Sequence, residues 1–185
     1  MARSFHFLPR GGEFLRMTEA DWTDACDTSR GRKRGGRWNR PGSFPVLYLF
    51  RTVDGARQLF DSRFSGDYVL AETIRRPPVL WTVDVTEASF VDIVTNEGCV
   101  AAGLERDYPE GLRTDSGHPT CWPIGDDAWA QGTAGIACRS ATSFSDPIEE
   151  EMAWFDRGDS AARCRPNSTP FADWYLTGST GRSSP

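Results

Sequence analysis

Apolar residues in this chain change period from one stretch to the next. Residues 44–50 (FPVLYLF) form a nearly continuous apolar run after a glycine, which reads as a buried strand. Residues 79–85 (VLWTVDV), 90–94 (FVDIV) and 135–139 (GIACR) read as further strands. Between the first two, Asp54 is placed to cap a helix in which Ala56, Leu59, Phe60 and Phe64 follow helical spacing, so a helix through Arg63 would pack that face on a sheet. Residues 18–27 begin with Thr18 and place Asp21 three positions later, a capping-box pattern that predicts a short helix. Residues 126–130 suggest one or two helical turns, and the glycine-rich, basic stretch 29–43 reads as a loop. From Gly158 onward Pro, Ser, Gly and Arg dominate, which predicts a partly ordered tail docked through Phe171, Trp174 and Tyr175.

A chain of 185 residues with 38% hydrophobic content supplies one mid-sized core. Strands dominate a mixed pattern, so the expected class is α+β in a single domain. No apolar run approaches about 18 residues, and Met1 to Arg10 lacks a signal-peptide core, so a soluble cytoplasmic protein with no membrane contact is expected. A net charge of −5 gives no general attraction to nucleic acid. The five cysteines are odd in number and form no CxxC pair, which predicts reduced, mostly buried thiols and no metal site. The seven Trp and eleven Phe fill a core in the first instance, and also offer flat surfaces to an aromatic base.

One segment departs from this acidic background. Arg30, Arg32, Lys33, Arg34, Arg37 and Arg40 crowd into a glycine-rich stretch that reads GGRWNRPG at residues 35–42. Glycine lets backbone N–H groups approach phosphate oxygens and arginine binds them bidentately, so the loop has the parts of a diphosphate cradle. A solvated basic turn accounts for the same residues equally well.

The string GGRWNRPGSFPVLYL at residues 35–49 and the string GTAGIACRSA at residues 132–141 resemble the opening and closing motifs of the RES domain family. CWPIGDDAWAQG (121–132) and EEEMAWF (149–155) resemble the segments around the second motif. The resemblance implies a bent mixed β-sheet like that of ADP-ribosyltransferases. It also implies NAD as substrate without a metal, and an activity of the NAD glycohydrolase, phosphorylase or ADP-ribosyltransferase type. Such proteins are often toxins paired with a small antitoxin that covers the NAD pocket. On this reading residues 29–157 are the domain, 1–28 an extension and 158–185 the tail.

Carried over residue by residue, Arg37 clamps the diphosphate, Tyr48 and Trp38 frame the nicotinamide riboside, and Ser140 contacts the ligand. The family glutamate has no match: the helix after Tyr48 carries Gln58 or Leu59 at that place, with Asp61 and Glu72 as shifted candidates. Gln58 keeps a hydrogen bond without the charge that stabilises a developing ribosyl cation. That gap supports a rival expectation, a non-catalytic RES-like module that binds a nucleotide or a protein. Glu149 to Glu151 read as a solvated charge run, and His118 as an exposed loop residue.

Overall fold

The computed structural model describes residues 3–64, 76–109, 118–142, 148–158 and 161–176; Glu72 lies outside the described residues. Its strands are β1 (Phe7–Thr18), β2 (Val46–Phe50), β3 (Val79–Ile93), β4 (Gly135–Arg139), β5 (Glu150–Phe155) and β6 (Ala162–Thr169). They form one mixed sheet in the order β1-β2-β5-β4-β3-β6, in which β3 and β4 run parallel and the remaining pairs antiparallel. β1 pairs along β3 and also meets β2 where Leu15 faces Phe50, so every strand except β6 belongs to a closed ring. This is a bent mixed sheet in an α+β domain, as expected from the sequence.

Side chains alternate across a strand, so each strand sends one set into the ring and one set out. Phe14, Leu47, Leu49, Val83, Val85, Phe90, Ala137, Met152 and Trp154 meet in one cluster drawn from all five ring strands, which is the ring interior. The opposite set, including Val46, Tyr48, Ile93, Ile136, Cys138, Ala153 and Phe155, packs outward against Trp38, Phe44 and Ile124. Burying a side chain the size of Phe90 contributes about 2–3 kcal/mol.

α2 (Val53–Phe64) lies where helical spacing puts it, with Phe60 against Phe171, Trp174 and Tyr175 of the C-terminal segment. The stretch before residue 29 supplies β1, and the stretch after 158 supplies β6 and a π-helical turn at Ala172–Leu176. Four expectations change. The helix expected over residues 18–27 is absent: Thr18 ends β1 and residues 19–27 form turns, because the Asp24 and Asp27 carboxylates accept the backbone N–H groups of Cys26 and Ser29, a local alternative to helical bonding. The loop from residue 29 opens with a short helix, α1 (Ser29–Arg34). The strands expected at 79–85 and 90–94 are one strand, because Ala88 and Ser89 stay paired with β1 despite their polar surroundings. The helical turns expected at 126–130 belong to a longer helix following α3 (Asn96–Ala101), namely α4 (His118–Ala130).

The reading of all five cysteines as reduced is also corrected. Cys26 and Cys164 form a disulfide that ties the turns after β1 to β6 across a sequence separation of 138. Connectivity of this kind depends on tertiary proximity, which spacing along the chain does not reveal. Cys99, Cys121 and Cys138 are free and buried. Among the described residues, no helix is long and apolar enough to cross a membrane.

α4 sits tightly on the loop after α1. A Cβ on Gly125 would stand 1.7 Å from the Trp38 carbonyl oxygen and 2.7 Å from its carbon, both backbone atoms with little room to move. Gly125→Ala is therefore expected to lower stability by about 2–3 kcal/mol in denaturant unfolding. An unchanged midpoint would mean that α4 can shift off the loop.

Candidate functional site

The loop leaving α1 crosses the outer face of the ring directly over β2. Gly36 permits this, since a Cβ there would lie 2.6 Å from the Tyr48 hydroxyl oxygen. With the loop so close, the Tyr48 hydroxyl donates to Asn39 Oδ1 at 2.8 Å and accepts the Trp38 backbone N–H at 2.9 Å. The Asn39 side-chain amide in turn donates to the carbonyls of Gly31 and Phe44. Burial raises the Tyr48 pKa, so the group remains a neutral phenol. The motif GGRWN is thus a fitted unit in which tyrosine, asparagine and glycine fix one another.

Arg37 points back into the protein. Its Nη2 donates to Glu151 Oε2 at 3.1 Å, and its Nη1 to the Arg139 carbonyl at 3.0 Å and the Tyr108 hydroxyl at 3.4 Å. The other Glu151 oxygen accepts the Ser140 hydroxyl at 2.5 Å, and the Thr142 backbone N–H donates to Ser140 Oγ. Desolvation opposes the Arg37 charge, but Glu151, with smaller help from Tyr108 and Cys138, more than offsets it and holds the guanidinium protonated well above its ordinary range. Side-chain exposure is 17% for Arg37 and 10% for Glu151. The two are a nearly desolvated, charge-assisted pair.

The reading of residues 149–151 as a solvated run is therefore wrong for Glu151. Opposite residues of an antiparallel pair share a face, and Glu151 stands opposite Phe50 while Ala153 stands opposite Tyr48. Glu151 thus shares the outer face of the ring with Tyr48. Its neighbours are engaged as well: Glu150 takes both ends of the Arg10 guanidinium, and Glu149 accepts the Thr52 hydroxyl. The alternation in EEEMAWF carried the signal, since residues 151, 153 and 155 fall on one face and two of them are apolar.

Other expected positions separate. Trp38 is fully buried and packs in the core, its indole N–H directed at Cys138 Sγ. Ser140 is fully buried too, and its hydroxyl is spent on Glu151. Gln58, on α2, has a buried Oε1 with no hydrogen-bond partner. Asp61 accepts the Tyr175 hydroxyl, which ties it to the C-terminal segment. Arg37, Tyr108, Ser140 and Glu151 meet from the loop, the segment after α3 and strands β4 and β5, not from α2.

Beside this network lies a cavity of about 450 Å³. Val46, Tyr48 and Phe50 of β2 form one wall, Leu59 of α2 another, and Arg16, Arg30 and Arg34 face them. Leu59 and Phe60, not Gln58, are the residues that α2 presents to this space. Arg16 is only 9% exposed, and its Nη2 donates to the Asp27 carbonyl while its Nη1 has no partner. Burial pushes the Arg16 pKa down to about 10, against the pull of Asp27 and Asp24. Trp22 lies between the guanidinium groups of Arg16 and Arg30, 5.5 and 5.3 Å from its ring. Arg16 and Trp22 escaped the sequence reading, although a charged residue within the apolar alternation of FLRMT was the sign of a buried cation.

Chemically, the cavity can hold an anion against a buried, incompletely bonded guanidinium and an aromatic side chain. It offers no ready thiolate: burial pushes Cys138 up to about 12 and also raises Cys121. Among the described residues no group of three or more His, Cys, Asp or Glu is placed to hold a metal ion.

Over 119 residues the chain is 29% identical to the proteins named NAD(+) phosphorylase MbcT of Mycobacterium tuberculosis and Mycobacterium bovis, covering 64% of this chain and 62% of each relative. The match thus spans less than two thirds of those relatives. The crystal structure of the M. tuberculosis MbcT-MbcA toxin-antitoxin complex contains a chain with the same fold, at a TM-score of 0.74 and 21% identity over 92% of both chains. The profile of the RES domain family matches residues 13–175, and the protein belongs to that family.

Proposed function

We propose that this protein consumes NAD, breaking the bond between nicotinamide and ribose and passing the ADP-ribosyl group to phosphate, water or a macromolecular hydroxyl. The observation that carries the reading is Arg16. A nearly buried guanidinium on the wall of a cavity shared with Tyr48 is costly unless an anion offsets its charge, and the diphosphate of a dinucleotide is such an anion. Arg30 and Arg34 extend the same wall, and Tyr48 gives a flat surface for the nicotinamide or ribose. Arg37 and Ser140 serve from behind: Ser140 fixes Glu151, and Glu151 fixes Arg37. No metal is required. The relatives named NAD(+) phosphorylase make phosphate the first acceptor to test.

The likeness to a chain from a toxin-antitoxin complex supports a second part of the reading: the protein is a toxin held in check by an antitoxin partner. NAD is abundant inside cells, which fits action in the cytoplasm. A rival reading, a nucleotide-binding module without turnover, draws on one observation, the apolar Leu59 where a carboxylate would face the cavity.

Incubation of the purified protein with NAD, with and without inorganic phosphate, and chromatography with mass detection decides between them. Release of nicotinamide with a phosphorylated ADP-ribose product is expected, faster with phosphate present. Intact NAD with measurable binding by calorimetry would sustain the rival, and intact NAD with no binding would remove both readings.

A further inference from the structure

The expected carboxylate is missing from α2, but the structure holds a buried one on the same sheet face. The geometry points to Glu151 as the charge that replaces it, supplied from β5 instead of α2; the inference rests on the NAD-consuming reading above.

Glu151 stands opposite Phe50, and Phe50 and Tyr48 both line the cavity. Its side chain is fixed at both ends, by the Ser140 hydroxyl on Oε1 and by Arg37 Nη2 on Oε2. The Ser140 contact comes from a side chain with no exposure, whose oxygen also accepts the Thr142 N–H and lies 3.1 Å from the Thr142 hydroxyl. Each carboxylate oxygen retains a lone pair beyond these bonds, and the side chain is not fully closed off.

The charge becomes useful when substrate arrives. In the empty site Arg37 neutralises Glu151. A diphosphate held at Arg16 adds negative potential beside the pair, which together with the Glu151 charge favours a positive charge on the ribose. Cleavage then sends the electron pair of the C1′–N bond to the nicotinamide ring, which leaves neutral, and the positive charge moves to the ribose. An acceptor oxygen bonds to C1′, from water with its proton lost to solvent or from phosphate, which already carries the negative charge. A preorganised carboxylate in a low-dielectric site stabilises the cationic stage more than the bound substrate. Glu151 therefore affects turnover more than binding.

The test compares wild type, Glu151→Gln, and Glu151→Gln combined with Leu59→Glu, which returns a carboxylate to the α2 position facing the cavity. Glutamine is isosteric and keeps an acceptor for Ser140. Glu151→Gln is expected to bind NAD within about threefold of wild type by calorimetry while kcat falls about 50-fold. The double variant is expected to recover at least about tenfold of that loss, which a packing role for Glu151 would not allow. Glu151→Gln turning over at the wild-type rate, losing NAD binding in step with its melting temperature, or gaining nothing from Leu59→Glu overturns the inference. A wild type that leaves NAD intact overturns the functional reading and the inference together, so the two failures are told apart by the first sample.

Discussion

Arg37→Ala is expected to remove turnover by at least about 1,000-fold and to destabilise the fold by about 3–5 kcal/mol. Both effects start from one geometry. Among the described residues the guanidinium is the sole cation bonded to Glu151, and it also satisfies the Arg139 carbonyl at the end of β4. Truncation strands a buried carboxylate and a carbonyl together, and breaking a buried pair from one side costs far more than the pair contributes. Removing both partners separates the effects. Arg37→Ala with Glu151→Ala is expected to be more stable than Arg37→Ala alone, because no uncompensated charge remains, yet equally inactive. Denaturant unfolding of wild type, Arg37→Ala, Glu151→Ala and the double variant gives the coupling, and nicotinamide release from the folded fraction gives the activity. Arg37→Lys is expected to recover part of the stability but little turnover, because an ammonium cannot serve Glu151 and Arg139 as a fork. If Arg37→Ala were as active and as stable as wild type, the loop after α1 would have no part in the site.

How much of this was legible in the sequence follows from what each signal depends on. β2, β4 and α2 were readable because their apolar spacing is local and complete: VLYLF and GIACR are buried runs, and Ala56, Leu59 and Phe60 repeat at helical spacing. β3 looked broken because Thr86, Glu87 and Ser89 interrupt its apolar run, yet pairing with β1 carries the strand past them. The motif residues Arg37, Tyr48 and Ser140 do converge on the outer face of the ring, but with altered tasks. Tyr48 lines the cavity, whereas Trp38 and Ser140 are sealed from it. Whether a side chain faces a ligand or a core depends on what packs over it, and that is a tertiary property. Glu151 was misread for a different reason: three consecutive glutamates suggest solvent, but on a strand the middle and outer ones face opposite ways, and each meets its own partner. The Cys26–Cys164 disulfide was unreadable, since sequence separation does not say which strands lie side by side.

Arg16→Met is expected to make the empty protein more stable and to weaken NAD binding about 100-fold. The two outcomes share a cause. An arginine whose pKa is brought from 12.5 down to about 10 carries a cost on the order of 3 kcal/mol while it is charged. Methionine keeps much of the apolar stem and removes that cost, but it also gives up the bond to the Asp27 carbonyl and the Trp22 contact, so a net gain of about 1 kcal/mol is expected. The pH dependence identifies the source. Arg16 is a base whose folded pKa lies below its unfolded value, so its cost is full below about pH 10 and fades as pH rises through that point and the folded group gives up its proton. The stability advantage of Arg16→Met should therefore be flat from about pH 6 to 9 and shrink above about pH 10. NAD or phosphate should reverse the order of the two proteins: ligand that fills the unpartnered Nη1 raises the melting temperature of wild type and leaves the variant unmoved. A variant that is both less stable and still ligand-responsive would show that Arg16 is a structural cation, already satisfied by Asp27 and Trp22, and would shift the anion site to Arg30 and Arg34. A variant that is more stable and blind to ligand would show that the fold carries the charge on β1 for the sake of what the cavity binds.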